Sequence, residues 1–217
     1  MLEFLNKNFP DVAKALNKSD DFAEAAKQLS KADNLKLTRK QAEAITEAFE
    51  NAGLSEYLLK TSNSLELTGD TLNITADVWK RVPCDRGNYI DEFMNEHSLG
   101  KGLGQYFPVA DRLQDRILIS TKSLDIATQG YQNPAKLKST LEKYANSLKN
   151  IESKYFNDKG VLKWRDYPEL SVDDYDKKAL EIILPDIIIT EDSLKVLNEF
   201  KERMEKSGLE VWYRVTK

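Results

Sequence analysis

Sulfur and imidazole ligands are almost missing from this chain, which has one cysteine, Cys84, and one histidine, His97, in 217 residues. A lone cysteine cannot close an internal disulfide, which suits a reducing compartment. One Cys and one His also argue against a structural zinc site. Long apolar runs are missing too: none reaches the roughly 18 residues that suggest a membrane span. The amino-terminal MLEFLNKNFPD lacks the basic start and apolar stretch of a cleavable signal, so export is expected to use something outside this chain. Nor is positive charge in excess, since 32 Lys and Arg face 36 Asp and Glu for a net −4. That balance excludes a polycationic nucleic-acid coat. Chemistry on a polyanion would need a local site in which a metal offsets carboxylate–phosphate repulsion.

What is present is a globular composition, 41% apolar with both charge signs well represented. The length allows one large or two modest domains, and two is the reading adopted. Segments 11–18, 21–31 and 38–52 are rich in Ala, Leu, Glu, Lys and Gln, which lose little side-chain freedom in a helix. Thr38 with Gln41 makes a capping box, and Gly53 supplies a stop. A small bundle burying Leu16, Phe22, Leu29, Ile45 and Phe49 is expected there. A capped helix is expected from Asp70 or Thr71 to Trp79. Composition then changes near Lys80 to Asp85, so the boundary divides residues 1–75 from 80–217.

Beyond Arg86 helices and strands interleave. Gly87 to His97 sets Ile90, Phe93, Met94 and His97 on one helical stripe, closed by glycines 100, 102 and 104. Strands are expected at Tyr106 to Leu113, Ile117 to Ser123, Leu180 to Leu184 and Leu209 to Val215. Helices are expected at Pro134 to Lys149 and Asp192 to Ser207. The stretch Asn157 to Lys177 reads as loop, with basic and aromatic residues that suit nucleic-acid contact or a hairpin to which a partner adds strands. Interleaving of this kind implies an α/β fold, a mixed sheet flanked by helices, behind a small helical domain.

The chemistry concentrates in FPVADRLQDRILISTKSLD. With a turn centred on Asp115 and Arg116, antiparallel pairing sets Asp111 opposite Ser120, and Lys122 points the same way by period-two alternation. A hard cation needs more than one acidic oxygen, and the preceding helix offers Asp91 or Glu92, whose side chains point about 100° apart. Asp91 with Asp111 would hold Mg²⁺ or Mn²⁺, and Zn²⁺ is a further candidate. Lys122 would orient a water or neutralise charge on phosphate, and Ser120 would position a water. Thr121 and Asp125 are further candidates, although Asp125 suits capping of the next turn better. Lys101, in a glycine-rich connector whose order is the reverse of a P-loop, and Arg86 are the substrate-binding candidates. His97 at the helix end suits a structural role.

The ordered set Arg86-Gly87-x-x-Ile90-Asp91, Phe107-Pro108-Val109-x-Asp111 and Ile119-Ser120-x-Lys122-Ser123-x-Asp125 resembles the PD-(D/E)xK nuclease core of toxin domains at the carboxyl ends of contact-dependent growth inhibition (CdiA) proteins. The likeness covers roughly residues 80 to 217. It implies a type IIS restriction endonuclease-like fold and metal-dependent cleavage of tRNA or DNA in a neighbouring bacterium, blocked by a cognate immunity protein. In the family register the helix acid falls on Asp91, where glutamate is usual. The second acid falls on Asp111, and the strand signature on Ser120 and Lys122. The resemblance also implies that residues 1–75 guide cell entry through an inner-membrane receptor, and that the toxin acts in the target-cell cytoplasm after delivery as part of a larger protein.

Overall fold

A computed structural model describes residues 65–216 except 70, 98, 99, 105, 129, 166–168 and 188. The helical bundle expected over 11–52 lies outside the described residues. In chain order the described elements are a 3-10 turn (Ala76–Lys80), α1 (Pro83–Glu96), β1 (Lys101–Gly102), β2 (Arg112–Gln114), β3 (Ile117–Ser123), α2 (Pro134–Lys149), α3 (Ile151–Tyr155), β4 (Val161–Leu162) and β5 (Leu170–Ser171). A second 3-10 turn (Val172–Asp174), β6 (Lys177–Pro185), α4 (Glu191–Glu205) and β7 (Leu209–Thr216) follow. Among the described residues the main sheet has five strands in the order β1-β2-β3-β6-β7. The β1-β2-β3 side is antiparallel, while β3-β6 and β6-β7 are parallel. This is the mixed α/β sheet flanked by helices that the pattern predicts.

Local chemistry explains the element ends. Pro83 and Pro134 occupy the first helical positions of α1 and α2, where a missing N–H costs nothing and the fixed φ favours helix. Asn133 caps α2 by accepting from the amides of Ala135 and Lys136. Thr190 caps α4 by accepting from Ser193 N, and Gly208 follows that helix at φ +82, the left-handed stop that glycine adopts without strain. Between β2 and β3, Asp115 and Arg116 both have positive φ, 48° and 61°, which is what a two-residue hairpin turn requires. Arg116 is held there by a two-pronged ion pair to Asp176 at 2.7 and 2.8 Å.

Two cores sandwich the sheet. Leu118, Leu180, Ile182, Leu184 and Tyr213 face Leu137, Leu141 and Leu148 of α2 and Leu197 and Phe200 of α4. Ile90 and Met94 of α1 pack with Leu72, Ile74, Val78, Trp79 and Ile183 in the other core. Full burial of a side chain such as Ile90 contributes about 1.5–3 kcal/mol, enough to fix α1 against the sheet. Among the described residues no helix is long and apolar enough to cross a membrane.

Three expectations are corrected. The strand predicted over Tyr106 to Leu113 contracts to Arg112–Gln114, because Tyr106 and Val109 have φ of 69° and 68°, incompatible with an extended strand. The helix predicted to run to Trp79 is a 3-10 turn from Ala76, since the backbone of Leu72 instead bonds Val215 O at 2.8 Å and bridges Thr216. The glycine connector includes an edge strand, β1. Leu65, Leu72 and Ile74 pack in these cores, so the sheet-bound unit includes residues ahead of α1.

Candidate active site

The tight β2–β3 turn sets the register Arg112↔Ile119, Leu113↔Leu118 and Gln114↔Ile117. One further step places Asp111 opposite Ser120, and Asp111 N bonds Ile119 O at 2.9 Å. The Asp111 carboxylate is fixed from two directions. Thr121 N donates to Oδ2 at 2.6 Å and Lys122 Nζ at 3.0 Å. Lys122 Nζ also donates to Thr121 O at 2.8 Å, which leaves little freedom in where the ammonium lies.

On the other side of Asp111 stands α1. Asn88, Asp91, Glu92 and Asn95 are spaced i, i+3, i+4 and i+7, which puts them on one helical face. With Gly104, Tyr106 and Asp111 they line a cleft of about 130 Å³. Burial first, then the charge of Asp111, push the Asp91 carboxyl up to about 7, against the opposing pull of Lys122 and Arg112. Glu92 lines the same cleft but is exposed. Asp91 thus feels the charge of Asp111, and both acids of the helix have access to the cleft. Among the described residues no group of three or more His, Cys, Asp or Glu is arranged to hold a metal. A cation here would draw two or three carboxylate oxygens from the protein and the rest from water or phosphate.

Beneath the cleft lies a charged cluster that the sequence reading missed. Glu181 of β6 is fully buried. Its Oε1 accepts from Arg112 Nη2 and Arg214 Nε, both at 2.8 Å, and its Oε2 accepts from Thr121 Oγ1 at 2.9 Å. Arg112 Nη1 donates to Thr121 Oγ1 at 2.6 Å. Burial alone would push the Glu181 carboxyl up, yet the hydrogen bond and charge of Arg112, with Arg214 and Thr121, hold it below the usual range. A glutamate inside the apolar run Leu180-Glu181-Ile182-Ile183-Leu184 was the available signal, because buried charges are retained in pairs. Thr121 thus serves the site through its backbone, while its hydroxyl belongs to this cluster.

The remaining candidates lie elsewhere. Ser120 is buried, and its hydroxyl donates to Val109 O at 2.5 Å, tying down the turn before Asp111 instead of opening to the cleft. Arg86, 6% exposed, donates to Ser123 Oγ at 3.0 Å and lies over the Trp79 ring; it packs α1 on β3 and is off the cleft wall. Asp125 is buried and accepts from Ala127 N at 3.2 Å, a turn cap. Lys101 is exposed on β1 and does not line the cleft. His97 stacks on Phe93 at the end of α1, with Nδ1 2.8 Å from Phe93 O.

Comparison with known proteins places the chain in a family. The model of the CDI toxin restriction endonuclease-like domain matches residues 86–214, a span that holds most of α1, the hairpin and the Glu181 cluster. No curated protein matches the chain. Among solved structures it is similar to a CdiA-CT/CdiI toxin and immunity complex from Yersinia pseudotuberculosis, at 19% identity and a TM-score of 0.46, over 58% of this chain and 98% of that one. The chain belongs to the CDI toxin restriction endonuclease-like domain family.

Proposed function

We propose that this toxin is a divalent-metal-dependent nuclease that hydrolyses phosphodiester bonds in tRNA of a target bacterium, with DNA as the alternative substrate. The observation that carries the reading is the convergence of Asp91 and Asp111 on one small cleft with Lys122 bonded to Asp111. A carboxylate whose proton affinity is raised by burial and by a second carboxylate beside it, as at Asp91, is a poor arrangement without a cation and a good one with it. Their oxygens are hard donors, and Mg²⁺ or Mn²⁺ accepts one or two carboxylates with the shell completed by water and phosphate. Zn²⁺, which favours nitrogen and sulfur ligands, is less well served.

Bound there, such an ion supplies Lewis-acid polarisation of the phosphate and a nucleophile at neutral pH. The protein's part is placement. Thr121 N fixes the Asp111 carboxylate, Ser120 holds the turn that presents it, and α1 brings Asp91 to the same cleft. Lys122 sits where its charge offsets the negative charge that builds on phosphate as the bond breaks.

Membership of a CDI toxin family supports a cognate immunity protein as partner. The β4–β5 hairpin, a separate two-stranded sheet, offers edges for strand addition. Residues 1–75 would act in cell entry through an inner-membrane receptor, and the toxin would act in the target-cell cytoplasm.

Incubating the chain with total tRNA and with plasmid, with and without Mg²⁺, Mn²⁺ or Zn²⁺, tests the proposal. Cleavage of tRNA is expected with Mg²⁺ or Mn²⁺ alone, falling about 100-fold or more in Asp111→Ala and in Lys122→Ala. Cleavage that survives chelation, or that persists in both variants, would overturn it. Preference for plasmid would select DNA.

A further inference from the structure

The segment between β1 and β2 turns almost every apolar side chain inward. Leu103, Phe107 and Ala110 are 4%, 6% and 0% exposed. Tyr106 is 63% exposed. Its backbone sits at φ 69°, a left-handed conformation that a bulky non-glycine residue adopts only when the surrounding structure imposes it. The imposition is visible: Phe107 N bonds Gly104 O at 3.1 Å, and Ser120 holds Val109 O on the other flank. An outward aromatic ring is therefore fixed by the fold and is not the free tip of a loose loop. It lines the same cleft as Asp91 and Asp111.

We infer that Tyr106 is a stacking platform for one unpaired nucleobase beside the scissile phosphate. The inference rests on the nuclease reading above. Three features of the cleft select a base over other planar groups. Gly104, which has no side chain to fill the space, lines the same cleft. The flanking groups on α1 are the amides of Asn88 and Asn95, neutral donors and acceptors suited to a base edge. Asn95 is also seated against β1, since a Cβ on Gly102 would meet its Oδ1 at 2.5 Å. A carboxylate-bearing cleft disfavours an anionic planar ligand but not a neutral base, whose faces stack on tyrosine with little regard to sequence. The tyrosine hydroxyl has no hydrogen-bond partner among the described residues, so the ring is not fixed outward by a polar contact.

A base can stack on protein only after leaving its own stack, so this platform favours single strands and loops over duplex. The preference is a property of the cleft mouth. It is separable from the acids that would hold the cation.

The test compares the full chain with Tyr106→Ala, Tyr106→Phe and Tyr106→Gly on whichever of total tRNA and plasmid the unaltered chain cleaves, then on a synthetic single-stranded copy of the cut segment and its duplex. Tyr106→Ala should raise KM roughly 5- to 150-fold, with the loss falling on KM more than on kcat, and Tyr106→Phe should keep most of the affinity. One abasic nucleotide next to the cut should weaken the unaltered chain by a similar factor and have little further effect in Tyr106→Ala. Tyr106→Gly should lose affinity in the same way while melting no lower, since glycine suits positive φ. Unchanged KM in Tyr106→Ala, an equal loss in Tyr106→Phe, additive effects at every abasic position, or preference for the duplex would each overturn the platform while leaving the nuclease reading intact. No cleavage of either substrate with any cation would remove both.

Discussion

Asp91 carries a proton to higher pH than an ordinary aspartate because it is buried and because Asp111 shares its cleft. The metal-free folded chain therefore retains, between about pH 4 and about 7, a proton that the unfolded chain has released. A raised acid pKa of this kind favours folding at low pH, and that contribution is lost as pH rises through the folded value of about 7. A cation that needs the ionised carboxylate must displace this proton. Its affinity should fall roughly tenfold for each pH unit below 7 and level off above it. Calorimetric titration with Mn²⁺ in two buffers of different ionisation enthalpy would show the released proton; binding with no proton release near pH 6 would contradict the shared-cleft account. Asp91→Asn should abolish the pH dependence. The relation of Asp111 to Lys122 was legible in the sequence, because a two-residue turn fixes hairpin register. The exposure of Tyr106 was not, because it depends on a left-handed backbone that the flanking contacts impose.

At the scale of elements, Glu181 links the strands that carry the site. From β6 it accepts from Arg112 on β2, Thr121 on β3 and Arg214 on β7, so one carboxylate ties four strands at the level of the cleft. Removing it leaves the buried Arg112 and the partly buried Arg214 without their counter-charge. Glu181→Ala should cost about 3–5 kcal/mol in urea unfolding, and a loss below about 1 kcal/mol would show that the strands do not depend on the cluster. Because the Glu181 pKa is lowered in the folded state, its stabilisation is present above the ordinary glutamate range and fades as pH falls through the lower folded value. The elements themselves were mostly readable. α2 and β3 fall where hydrophobic periodicity predicts them. The strand before Asp111 was overextended because apolar content says nothing about the positive φ at Val109.

For the whole molecule, the sheet recruits chain from outside the matched span. Leu72 pairs with the end of β7, Trp79 Nε1 donates to Thr216 Oγ1 at 2.7 Å, and Ile74 is fully buried beside α1. A chain starting at Leu65 should keep the melting temperature and cleavage of the sheet-bound unit. One starting at Ala76 should lose stability by roughly 2–5 kcal/mol for each buried side chain removed. Equal stability of the two truncations, measured by thermal unfolding, would place the unit's start where composition alone suggested.

Composition, periodicity and turn chemistry determined the α/β class, the order of the longer helices and strands beyond residue 86, and the shared face of Asp111 and Lys122. These follow from local rules, since side-chain alternation and a tight turn are settled within a few residues. Tertiary structure alone decided that both acids of α1 share a cleft with Asp111, that Ser120 and Arg86 pack instead of facing the cleft, and that Glu181 lies beneath it. Those outcomes depend on how a helix rotates against a sheet and on which charges are buried together. Both are set by contacts between residues far apart in the chain.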